Sequence, residues 1–221
     1  MADHVNPRRR YDSPRRREQA AATGRDILEA ARRLFEQHGY AATSVAAIAT
    51  EAGVSLKTVY LAFGTKRGVL LGLWHLLLRG DEEPVPVGER PWFRAVLEEP
   101  DPERQLRLNV RNATVVRARI GPLIDVIRDA AAGDPEIESL WIRIQSEFRD
   151  NQRSVVEVLH HRNALKGDLD VDGATDVLWA LNHPNLYRLL VTDRGWTPER
   201  HEAWLGDLLC EQLLTPRARK R

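Results

Sequence analysis

Apolar positions recur at helical spacing along almost the whole chain. Ile27, Leu28, Ala31, Leu34 and Phe35 follow an i, i+1, i+4, i+7, i+8 order, which sets them on one face and predicts a first helix over about 20–38. Gly39 follows as a stop. Val45, Ile48, Ala49 and Ala52 form the inner face of a short second helix, capped by Thr43 or Ser44 and ended by Gly53. Ser55 caps a third helix that buries Val59 and Phe63 at i, i+4, and a fourth runs over about 66–78. Beyond it the pattern predicts helices near 92–98, 102–118, 120–131, 135–162, 172–192 and 198–214. Leu140, Ile144 and Phe148 make one stripe; Trp204, Leu205, Leu208, Leu209 and Leu213 make another. No run alternates with the period of two that a strand requires, and no internal repeat appears. The predicted fold class is all-α.

Charge divides the chain unevenly although the net value is only +1. Residues 1–80 carry +6, residues 81–214 carry −9 and residues 215–221 carry +4. A basic front on an acidic body points to a polyanionic partner for the front alone. Residues 1–18 hold two arginine triplets and too few apolar groups to offset ordering, so a disordered arm is expected there. The run DEEPVPVGERP at 81–91 reads as a loop. No apolar run approaches the ~18 residues of a membrane helix, and a single cysteine suits a reducing, cytoplasmic setting.

The stretch AGVSLKTVYLAF, residues 52–63, joins the second and third helices through a short glycine turn. Such a turn lets the second helix of the pair cross the first and protrude, and a helix has the width of the DNA major groove. With Val59 and Phe63 inside, the outer face presents Lys57, Thr58, Tyr60 and Leu61, with Leu56 and Ala62 at its margins. Spacing alone leaves two readings open: a helical hairpin within a larger core, or a helix-turn-helix that docks on DNA.

Residues 25–70 decide between them by resemblance. Ile-Leu-x-Ala-Ala, Leu-Phe-x-x-x-Gly-Tyr, Thr-Ser-Val-x-x-Ile-Ala, Ala-Gly-Val-Ser, Thr-Val-Tyr and Phe-x-x-Lys occur in that order. The block resembles the DNA-binding domain of the TetR/AcrR family of transcriptional regulators. The resemblance implies an N-terminal three-helix helix-turn-helix domain and a larger C-terminal helical domain for ligand binding and dimerisation. On that basis the expected layout is a basic arm over 1–18, the DNA-binding domain over 19–65, the effector and dimerisation domain over 66–214, and a basic tail over 215–221.

Roles carried over position by position are these. Thr43 and Thr58 match phosphate-contacting hydroxyls, with Ser44 beside the first. Tyr60 matches a tyrosine that meets the DNA backbone, and Lys66 a basic residue near a phosphate. Leu56 and Lys57 open the recognition helix. Lys57 departs from the small residue usual there, and either donates to a guanine edge or pairs with a phosphate. Leu61 either touches a thymine methyl or shields the core. The arginine arm either enters a minor groove or adds salt-dependent affinity without sequence preference. The expected partners are a double-stranded DNA operator, a small-molecule effector and a second copy of the chain, paired through the last two helices.

The ligand pocket is harder to read. Pro184 interrupts a long helix in ALNHPNLY, residues 180–187, and is expected to leave the Ala180 carbonyl without its usual partner. That breach near Trp179, Asn182 and His183 either orients a ligand or takes up water. Trp141, Phe148 and Arg111 are the other candidate wall residues. A calcium loop at 168–173 fails because the position for its bidentate glutamate is Trp179. Asp172 is instead expected to cap the next helix. His160 and His161 are adjacent, not four apart, so no metal is expected. Cys210 reads as a small core or interface residue. No cofactor and no catalytic constellation are expected. The predicted function is a dimeric, ligand-released repressor on a palindromic operator. The alternatives are an activator, a helical small-molecule-binding protein without specific DNA binding, or an enzyme on a helical scaffold.

Overall fold

The computed structural model describes residues 14–79 and 86–218. The described residues through Leu73 form one compact unit and those from Trp74 onward another, the division falling inside a helix.

The first unit holds α1 (Pro14–Ala42), α2 (Val45–Glu51), α3 (Leu56–Phe63) and the start of α4 (Lys66–Arg79). Residues 14–18 form the first turns of α1 where an arm was expected, because Arg, Glu, Gln and Ala are good helix formers even without burial. Residues 1–13 of that arm lie outside the described residues. The α1 helix breaks at Gly39, whose φ of 78° and ψ of 168° only glycine adopts without strain. Ser44 caps α2 by accepting from the Ala47 N–H, and Ser55 caps α3 by accepting from the Thr58 N–H. Ile27, Ala31, Phe35, Ile48 and Val59 are buried as expected from their spacing, and Val69 and Leu70 of α4 are buried as well.

The second unit contains the rest of α4, then α5 (Pro91–Glu98), α6 (Pro102–Ala131), α7 (Pro135–His161), α8 (Val171–Leu181), the short α9 (Pro184–Tyr187) and α10 (Pro198–Leu213). Its core joins Phe93, Leu106, Val110, Val155, Leu159, Leu178, Leu205 and Leu209. Cys210 is buried in it. Among the described residues there is no strand, only an isolated bridge between Leu165 and Leu214. That bridge and the partly buried Ala218 hold the start of the expected basic tail against the fold; residues 219–221 lie outside the described residues.

The fold departs from the sequence pattern at three places. The break expected near 119–121 does not occur, and α6 runs through Gly121 and Pro122. Proline removes one donor, but Ile120, Leu123, Ile124 and Ile127 are buried on both sides of it and hold the helix together. The single helix expected over 172–192 is instead α8, a break at Asn182–His183, α9, and a π-helical turn over Arg188–Asp193. Pro184 starts a helix rather than kinking one, the place where its missing N–H costs nothing. The cap of α8 is Asp170, which accepts from the Gly173 N–H, while Asp172 pairs with Arg153.

Candidate functional site

Two surfaces of different character emerge, one in each unit. In the first, the chain bends by 109° between α2 and α3 across Ala52–Ser55. A four-residue glycine turn and a near-perpendicular crossing are the geometry of a helix-turn-helix. Gly53 makes the turn with a φ of 65°. Burial of Val59 fixes how α3 is rotated. Leu56, Lys57, Tyr60 and Leu61 consequently face outward, with Leu61 78% exposed and Tyr60 49%. Ser44 is exposed at the start of α2, and Thr58 is half-buried at the start of α3 with its hydroxyl 2.8 Å from that of Ser55.

Two expected DNA contacts are engaged elsewhere. Thr43 is buried, and its hydroxyl donates to the Gly39 carbonyl at 2.8 Å. It closes the turn after the Gly39 break. The Lys66 ammonium donates to the carbonyls of Tyr40 at 2.9 Å and Thr43 at 3.0 Å. It also lies 4.2 Å from the centre of the Tyr40 ring. Lys66 thus joins the α1–α2 turn to the N-terminus of α4. Both sets of contacts have one cause: turn carbonyls left without helical partners recruit the nearest donors.

In the second unit a cavity of about 430 Å³ opens among α4, α5, α6, α7 and Pro184. Its apolar wall includes Trp74, Leu78, Trp92, Phe93, Ile120, Ile124, Ile144 and Phe148. Its polar wall includes Asn109, Arg117, Gln145 and Gln152. This volume and this mixture are those of a small-molecule site. Asn109, Arg117, Gln152 and Asn182 are each at most 4% exposed and form one network. The Gln152 Oε1 accepts from Asn109 at 3.0 Å and from Asn182 at 3.1 Å. The Arg117 Nη2 donates to the Asn182 Oδ1 at 2.6 Å and to the Asn182 backbone carbonyl. Burial pulls the Arg117 pKa down to about 9.

The helix break supplies the free carbonyl, though at a different residue from the one expected. The Ala180 carbonyl accepts from the His183 N–H at 3.3 Å, and it is the Asn182 carbonyl that Arg117 takes. His183 stands beside the network. Its Nδ1 accepts from the Asn185 N–H, and its Nε2 donates to the Gln145 Oε1 at 2.8 Å. Burial first, then Arg117 and Arg128, lowers its pKa, in keeping with a neutral ring.

Of the expected pocket residues, Phe148 lines the cavity, and Asn182 and His183 reach it through the network and Gln145. Trp179 packs edge-on against His183, 5.2 Å between ring centres, behind the wall. Trp141 is half-buried away from the cavity, and Arg111 is exposed. Arg111 points outward because its neighbour Val110 occupies the buried face. The residues missed were Asn109, Arg117 and Gln152. Their signal was present: Asn109 and Arg117 fall on the buried face with Leu106, Val110 and Ile120, and Gln152 continues the Phe148 stripe toward Val155 and Leu159. A polar residue at an apolar position of a helical stripe is the mark of a built polar site.

The model of the bacterial regulatory proteins of the tetR family matches residues 27–73. The HTH-type transcriptional repressor AcnR of Corynebacterium efficiens is 30% identical over 154 residues, covering 69% of this chain and 72% of the relative. The probable HTH-type transcriptional regulator ArpR of Pseudomonas putida is 28% identical over 213 residues, covering 93% and 99%. The fold is similar to that of NalD, the secondary repressor of the MexAB-OprM multidrug efflux pump in Pseudomonas aeruginosa. The TM-score is 0.71 at 20% identity, over 89% of this chain and 99% of that one.

Proposed function

This chain belongs to the TetR family of bacterial regulatory proteins and is a helix-turn-helix DNA-binding regulator, and from that premise we propose that it is a repressor released from a palindromic operator by a small molecule. The outward face of α3 carries the reading. Leu56, Lys57, Tyr60 and Leu61 are exposed on a helix that crosses α2 at a steep angle. Inserted in a major groove, Lys57 is placed to donate to a base edge or a phosphate, Leu61 to meet a thymine methyl, and Tyr60 and Thr58 to hold the backbone. Ser44 at the start of α2 is a further backbone contact. Thr43 and Lys66 support this surface from behind.

A dimer paired through α10 and the α8–α9 segment presents two such helices to half-sites about 10 bp, or a multiple of that, apart. Half-buried Trp179 of α8 and Trp204 of α10, with half-buried Trp196 and exposed Leu189 on the stretch that joins α9 to α10, supply apolar surface there. The effector site is the cavity of the second unit. An effector acts only through differential affinity: moving the population from 99:1 bound to 1:99 takes about 5.5 kcal/mol in favour of the form that does not bind DNA.

The test is selection of bound sites from random duplex DNA, then affinity at several salt concentrations. A recovered palindrome bound ~10³-fold or more above random DNA is the expected result. Weak binding with a steep salt dependence and no preferred site overturns the reading in favour of a helical small-molecule-binding protein.

A further inference from the structure

The cavity wall, which carries Glu147 and Asp150 among its lining residues, also holds a buried charge on which no carboxylate acts. Arg117 is 4% exposed. Its Nη2 is spent on Asn182, and its Nη1 reaches no acceptor. No carboxylate is among the groups that act on it. The neighbouring amides are already committed to one another, since the Gln152 Oε1 accepts from both Asn109 and Asn182. With a pKa near 9 the guanidinium remains charged at neutral pH. A buried cation that keeps neither a counter-charge nor a full set of acceptors is destabilising, and folds normally pair such a group or replace it. A guanidinium nitrogen left without an acceptor beside a largely apolar cavity is also a group that recognises a carboxylate oxygen.

We propose that the cavity takes a monocarboxylate with an apolar body, its carboxylate seated on Arg117 and its body against Phe93, Ile120, Ile124 and Phe148. The proposal rests on reading this cavity as the effector site. The ligand supplies the missing counter-charge and accepts from Nη1. The Asn109–Gln152–Asn182 chain holds the guanidinium in place before the ligand arrives. A neutral ligand of the same shape leaves the cation unanswered and binds more weakly.

Titration calorimetry on the full chain tests this with matched acids and amides: decanoate against decanamide, and 1-naphthoate against 1-naphthamide. At least one acid is expected to bind about tenfold or more tighter than its amide. The preference should vanish in Arg117→Gln, which removes the cation. It should vanish equally in Asn182→Asp, which keeps the shape and supplies an internal carboxylate. If either variant fails to fold by circular dichroism, the wild-type comparison decides alone. Equal affinity of acid and amide, a preference that survives in folded variants, or binding of none of the four probes overturns the proposal. Operator selection on the wild-type chain separates the two readings. A palindrome recovered without any acid preference removes the carboxylate and leaves the regulator; acid preference without an operator does the reverse.

Discussion

Arg117 of α6 donates to both the side-chain and the backbone carbonyl of Asn182, which sits at the break between α8 and α9. One guanidinium thus fills the gap that the helix break opens. It ties the cavity wall to the segment ahead of Pro184.

Breaking that tie is expected to be costly. Asn182→Ala removes the Oδ1 acceptor from Arg117 and a donor from Gln152, leaving a buried cation with the backbone carbonyl alone. Loss of one partner of a buried charged hydrogen bond costs about 2–4 kcal/mol. Urea unfolding should show it as a lower midpoint with an unchanged slope. A change under 1 kcal/mol would mean that the network is not formed in solution.

Gly68 and Phe63 make a second sharp relationship. A Cβ on Gly68 lies 1.9 Å from the Phe63 carbonyl oxygen, backbone that cannot swing aside. Gly68→Ala is therefore expected to destabilise the first unit by about 2 kcal/mol or more, despite alanine's better helix propensity. Gly24→Ala is the control: nothing lies within 4 Å of its Cβ. That change should stabilise α1 by about 0.5–1 kcal/mol. Thermal melts of the two variants should move in opposite directions.

On the recognition helix, Tyr60→Ala and Lys57→Ala should weaken DNA binding by about tenfold or more without lowering the melting temperature, since both side chains are exposed. The salt slope separates the two roles of Lys57. A phosphate contact lowers the slope by about one unit across all sequences, whereas a base contact relaxes specificity at one position. Thr43→Val and Lys66→Ala should instead lower stability first, by about 1 kcal/mol each, because their donors serve buried turn carbonyls.

His201 sets a pH dependence. It is 1% exposed, neither ring nitrogen has a partner, and burial, helped by Arg117, pushes its pKa from 6.5 to about 4. Between those values the unfolded chain binds a proton that the folded chain does not, so stability falls as pH drops from about 6.5 to about 4. His183, also shifted downward, acts in the same sense. His201→Phe keeps the ring against Tyr187 and Trp204 and removes the titration. Its melting temperature should fall less steeply than the wild type's over that range. Parallel slopes would show that His201 titrates normally.

Most helices, the cap at Ser55 and the outward face of α3 were legible because each is local, and the cap of α2 was narrowed to Thr43 or Ser44. A cap depends on residues three apart, and an amphipathic face on spacing of three and four. The break at Pro184 was legible too, but not which carbonyl it frees. That depends on whether the proline kinks one helix or begins another. The continuity of α6 through Pro122 was hidden for the same reason, since burial of the isoleucines on either side outweighs one lost hydrogen bond.

The effector side shows the boundary most clearly. Arg111 and Arg117 are equivalent letters on one helix, and only rotation about its axis makes one exposed and the other buried beside a cavity. By itself the sequence determined most of the helices, the cap at Ser55, the outward face of α3 and the family resemblance, all carried by residues a few positions apart. Tertiary structure decided that Thr43 and Lys66 serve the turn, and that Asn109, Arg117, Gln152 and Asn182 meet around one cavity. Asn109 lies on α6 and Asn182 at the break after α8, and only the packing of those segments against α7 brings both within hydrogen-bonding reach of Gln152.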